Sequence, residues 1–94
     1  NGSVSTTYVA PSYMEEPKPN IAQIVKENLS EHLDVSQQVE EILEKGISEI
    51  DWWLKDTAVS RMRRDITRIL QKKMSAVMSR TLANSIVNQL LHAN

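Results

Sequence analysis

A chain of 94 residues with a net charge of −1, no cysteine and two histidines is held to one small domain. Disulfides and thiolate metal sites are excluded, and His32 and His92 are too few for a histidine-based metal site. No apolar run approaches the roughly 20 residues that span a bilayer, and no signal-peptide layout is present, so no transmembrane helix is expected; the lack of cysteine fits a reducing compartment.

The near-zero net charge hides a division. Residues 15–54 hold three basic and ten acidic side chains, a net −7, whereas residues 55–80 hold eight basic and two acidic, a net +6. Residues 81–94 have no charged side chain. Such separation either pairs internally or presents two faces to different partners.

Residues 1–19 contain all three prolines (Pro11, Pro17, Pro19) and many Ser and Thr, so they read as a linker or extended arm. Tyr8, Val9, Tyr13 and Met14 are candidates for docking on a neighbouring domain. The chain opens Asn1-Gly2-Ser3 without an initiator Met and reads as a piece of something longer. About 75 residues, 20–94, are left to form a helical bundle domain, near the size where one core is only just sufficient.

Asn20 and Gln23 have capping-box spacing, and Ile21, Ile24, Val25, Leu29 and Leu33 share a helical face. The first helix is therefore expected at 20–33. Asp34 or Ser36 is expected to cap a second helix at 36–46, whose stripe is Val39, Ile42, Leu43, Ile47 and Ile50. Gly46 suits a left-handed end, with Ile47–Ile50 as a tight connection. The rival reading runs the helix through Gly46, at about 1 kcal/mol relative to Ala.

Asp51 is then the expected N-cap of a third helix, from Trp52 to about Lys73. Trp52 and Trp53 at its start are expected to close one end of the core. Val59, Met62, Ile66, Ile69 and Leu70 form its apolar stripe, while Arg61, Arg64, Arg68 and Lys72 recur at steps of three and four on the other side. Ser75 and Ser79 are candidate caps of a fourth helix, placed at 79–92, with Leu82, Ile86, Val87, Leu90 and Leu91 inward. Helices three and four are also readable as one, because no Gly or Pro follows Gly46. Strand signals are nearly absent, so the expected fold is all-α, a small bundle of about four helices. Antiparallel packing is expected to bring Glu40, Glu41 and Glu44 towards Arg61, Arg64 and Arg68.

No catalytic constellation stands out. The two histidines lie sixty residues apart, His32 reads as structural, and Gly2 with Gly46 cannot make a phosphate loop. Glu40, Glu41 and Glu44 read as a solvated helix face rather than a cation site. The expectation is a non-enzymatic piece with no catalytic, cofactor or metal residues. Arg61, Arg63, Arg64, Arg68, Lys72, Lys73 and Arg80 can neutralise phosphates, but Asp56 and Asp65 interrupt the field and no aromatics line the stripe for base stacking. Met62, Met74 and Met78 suit either an adjustable groove or core gaps.

Residues 50–73 resemble the C-terminal helical region of type I restriction endonuclease R (motor) subunits. That region has Ile-Asp-Trp, two variable positions, a basic-acidic pair and a small hydroxyl residue, then a basic amphipathic helix. Ile50, Asp51 and Trp52 match, as do Lys55, Asp56 and Thr57. Arg61-Met62-Arg63 takes the basic-apolar-basic step, and Ile66, Arg68, Ile69, Leu70 and Lys72 follow in register. Val39-Glu40-Glu41-Ile42-Leu43 resembles the preceding helix. The chain departs from the pattern at Trp53, usually a small or β-branched residue, and at 73–78, which replace an aromatic-Gly-apolar-Pro-Pro turn.

The resemblance implies a cytoplasmic parent chain that is an ATP-dependent DNA translocase and type I site-specific deoxyribonuclease, with its catalytic motifs N-terminal to these residues. It implies that this region docks the motor on the methyltransferase and specificity subunits, or braces neighbouring motor domains near DNA. Arg61, Arg64, Arg68 and Lys72, with the fourth-helix tail, are then the expected partner surface, and Asp51, Trp52 and Trp53 its structural anchor. A small nucleic-acid-binding bundle with direct DNA contact and a helical self-association module are the alternatives. Membrane binding is not expected.

Overall fold

The computed structural model describes residues 15–93. It is all-helical: α1 (Ile21–Asn28), α2 (Leu33–Ile47), a short 3₁₀ turn (Trp52–Leu54), α3 (Asp56–Leu70) and α4 (Ala76–Leu91). Each helix packs against the next, and α4 returns to α1, so the four close a ring around one core. The expected arm falls largely outside the described residues, and with it Tyr8, Val9, Tyr13 and Met14. Residues 15–19 are non-helical. Pro17 is buried, and the Lys18 N–H donates to the Ala93 carbonyl at 3.2 Å, tying this strap to the end of α4.

Asn20 caps α1 as the spacing implies: its backbone is extended and its side chain accepts the Gln23 N–H at 3.1 Å. The Gln23 side chain turns to Glu27 instead of completing the reciprocal box. The helix stops short of the expected residue 33. Leu29 leaves helical geometry at φ −125°, ψ 31°, with its side chain fully buried, and Asn28 donates its amide to the Ile24 carbonyl at 2.7 Å. Leu33 does not belong to this helix's buried face. It opens α2 and is 73% exposed.

α2 begins ahead of the expected residue 36, so Asp34 and Ser36 lie inside its first turn rather than capping it. The Ser36 hydroxyl donates to the carbonyl of His32, which is half-buried at the junction. Gly46 does not end the helix, which runs through it to Ile47, and no residue there takes a positive φ. The physical reason is contact: a Cβ on Gly46 would meet the Met62 sulfur and come within 2.7 Å of its Cγ. Gly46 lets α3 approach, and that close packing outweighs its weak helix propensity. Val35, Val39 and Leu43 are buried, whereas Ile50, expected in this stripe, is 78% exposed beyond the helix.

The α2–α3 corner differs from the expected cap. Asp51 has φ 57°, ψ 33°, the one positive φ among the described non-glycine residues, and its side chain makes no capping hydrogen bond. It reverses the chain into the 3₁₀ turn, a role that Asp fills more readily than most side chains. That reversal drives Trp52 into the core, 1% exposed, with Trp53 half-buried edge-on against it at 6.1 Å and 76°. Lys55 is extended, and α3 starts at Asp56 rather than Trp52. Asp56, not Asp51, is the carboxylate placed to favour the positive end of the α3 dipole.

α3 ends at Leu70, before Lys73, and Ser75 rather than Ser79 caps α4, accepting the Met78 N–H at 3.2 Å. The two helices are therefore separate. Ser79 lies inside α4, fully buried, with no hydrogen-bond partner for its hydroxyl among the described residues. Ala83, Ile86, Val87 and Leu90 bury completely, so this face of the charge-free tail closes the bundle. Met62 fills the core at 2% exposure, Met74 is half-buried against it, and Met78 is 56% exposed. A polar cluster joins α1 to α4. Asn28 accepts from the Ser85 hydroxyl at 3.2 Å and donates to Gln89 Oε1 at 3.3 Å.

Candidate interaction face of α3

Helical periodicity gives α3 two sides. Ala58, Val59, Met62, Ile66 and Leu70 are buried. Arg61, Arg64 and Arg68, at steps of three and four, form one outward row with side chains 58%, 64% and 70% exposed. Lys72 does not continue this row on the helix. It lies in the turn after Leu70, exposed, its N–H donating to the Ile69 carbonyl.

The expected pairing with Glu40, Glu41 and Glu44 does not form; none of the three makes an ion pair among the described residues. Arg61 meets Glu49 at 3.6 Å, and Glu49 also meets Lys55 at 3.4 Å. Arg64 and Arg68 share one neighbour on their own helix, Asp65, at 4.0 and 3.9 Å. Glu49 lies on the corner leading to α3, so its carboxylate reaches the first cation of the row, whereas Glu41 lines the same α2–α3 groove as Arg61 without pairing with it. Exposed pairs of this kind contribute only about 0–1 kcal/mol each, and the three arginines share two carboxylates, one of them also held by Lys55. Lys73 instead ion-pairs Asp34 at the start of α2. The hydrogen bond from Lys73, foremost, holds the Asp34 carboxyl below its ordinary value.

Two of the grooves along α3 lie between it and a neighbouring helix. Between α2 and α3 a groove of about 550 Å³ has Gly46, Ala58 and Met62 in its floor, Ile42 and Ile69 on its walls, and Glu41 and Arg61 at its rim. Between α3 and α4 a smaller one, about 380 Å³, is lined by arginines and neutral polar residues. There Arg63 Nη2 donates to Asn88 Oδ1 at 3.3 Å. Arg63 and Arg80 border this second groove. They appear in the sequence among the basic residues but outside the periodic row, because facing α4 depends on the α3–α4 packing. The signal for Arg63 was its place beside Met62, on the flank of the stripe.

Asp51, Trp52 and Trp53 lie at the corner, apart from the arginine row. Trp52 supports the base of α3, to which the 3₁₀ turn packs. Among the described residues no cluster of His, Asp or Glu is grouped to hold a metal ion, and no helix is long and apolar enough to cross a membrane. Comparison with known protein families, curated proteins and solved structures finds no match to this chain.

Proposed function

We propose that this chain is a non-catalytic helical assembly domain, and that it serves as the C-terminal docking region of a type I restriction enzyme motor subunit. On this reading the parent chain is a cytoplasmic ATP-dependent translocase and nuclease, and the domain seats it on the methyltransferase–specificity core. The observation that carries the reading is the outward row Arg61, Arg64 and Arg68, which α1, α2 and α4 leave without a carboxylate of their own. A face that is cationic, exposed and mounted on a helix locked into the core is suited to steering and orienting a large partner. The Ile50–Lys73 resemblance supplies the identity of that partner. The half-exposed apolar walls of the α2–α3 groove beside Arg61 add contact area.

The test is co-elution of the full chain with a purified methyltransferase–specificity core on size exclusion. The expected result is a complex at micromolar concentration. Absence of a complex at that concentration contradicts the family assignment.

A further inference from the structure

The α3–α4 groove is chemically unlike the rest of the surface. Arg63, Arg64 and Arg68 of α3 face Arg80 of α4 across it, with Asn84 and Gln71 beside them, and no carboxylate lines it. Arg63 is braced at its flank by Asn88. Arg64 and Arg68 have only Asp65 between them, at the outer limit of ion pairing, and Arg80 has no ion pair among the described residues. Four arginines thus line one groove that has no carboxylate among its lining residues. Like charges set along one groove raise the local potential for an anion, and more so at low salt. Guanidinium forks match phosphate oxygens in pairs.

The shape of the cation field selects among phosphate ligands. The charge continues along α3 from Arg68 back to Arg61, about 10 Å at the helical rise, which suits a row of phosphates rather than one. No aromatic side chain lines the groove, so it has no platform for stacking a base. The geometry points to the α3–α4 groove as a seat for the phosphodiester backbone of a nucleic acid, held without base reading. This goes beyond the assembly reading: Arg64 and Arg68 belong to both the groove and the row assigned to the protein partner, but Arg63 and Arg80 belong to the groove alone, so Arg80 tests it separately.

The test is fluorescence anisotropy of a labelled mixed-sequence DNA duplex titrated with the full chain. With four phosphate contacts, affinity is expected to fall about 100-fold between about 50 and 200 mM salt. Arg80→Gln and Arg64→Gln are each expected to weaken binding and lower the salt slope by about 1, while Lys26→Gln and Lys45→Gln on α1 and α2 leave both unchanged. Circular dichroism of each variant confirms folding, and Arg80 is exposed, so its loss does not touch the core. No duplex binding at low salt overturns the inference. So does equal weakening by the Lys26 and Lys45 substitutions. Binding of pyrophosphate or of anionic lipid vesicles without binding of duplex overturns it as well. Loss of duplex binding in Arg80→Gln with retained co-elution separates this site from the protein-docking reading.

Discussion

The corner that leads into α3 and the corner that leaves it were built by different kinds of information. The leaving corner is local. Ser75 accepts the Met78 N–H, and that cap sets where α4 begins. The entering corner is tertiary. Gly46 continues a helix because Met62 presses against it, and Asp51 takes a left-handed backbone that carries Trp52 inward. Local signals name a residue's options; at the first corner the packing of distant side chains chose among them.

Breaking the entering corner should therefore cost most. Trp52→Ala removes a large side chain that is 1% exposed and is expected to lower stability by about 3–5 kcal/mol, read by chemical denaturation. A loss under about 1 kcal/mol would show that the corner does not anchor the core. Gly46→Ala comes next. Its gain in helix propensity is about 1 kcal/mol, and the collision with Met62 is expected to outweigh it, for a net loss of about 1–2 kcal/mol. A double-mutant cycle with Met62→Ala should show strong coupling, and additivity would dissociate Gly46 from the contact.

The leaving corner should respond more gently. Ser79 is the alternative cap that packing buried, and its hydroxyl has no partner among the described residues. Ser79→Ala is expected to be stabilising by about 1 kcal/mol, since an unsatisfied buried hydroxyl is removed. A destabilised Ser79→Ala variant would mean that the hydroxyl is satisfied.

The smallest effect is the tie between Asp34 and Lys73. The folded protein lowers the Asp34 pKa from 3.8, so the folded state favours the ionised carboxylate. The stability this adds is fully present above 3.8 and is lost as pH falls through the lower folded value. Asp34→Asn should lower the melting temperature slightly at neutral pH, with the gap to the parent closing in strong acid. A gap unchanged at every pH would remove the tie from the account.

The fold class and the inward stripes were legible because periodicity is a property of the chain itself: Ile24, Val25, Val39, Leu43, Met62, Ile66 and Ile86 all bury. The ends were less so. Leu33 and Ile50 continue a helical spacing on paper, but each lies beyond the turn that ends its helix, and both are exposed. The arginine row was readable up to Arg68, while Lys72 fell past the end of α3. Its partners were not readable, because Glu49 reaches Arg61 only through the corner geometry. Arg80 entered the second groove through the register of α4 on α3, which no local pattern encodes.

The most direct measurement compares the parent chain with the Arg64→Glu, Arg68→Glu variant by sedimentation velocity against the methyltransferase–specificity core, with thermal melts alongside. Both side chains are mostly exposed, so the account predicts an unchanged melting transition and loss of the complex. A complex that survives the reversal, or a bundle that unfolds with it, would contradict the claim that α3 holds its apolar side for the core and its cationic side for another macromolecule.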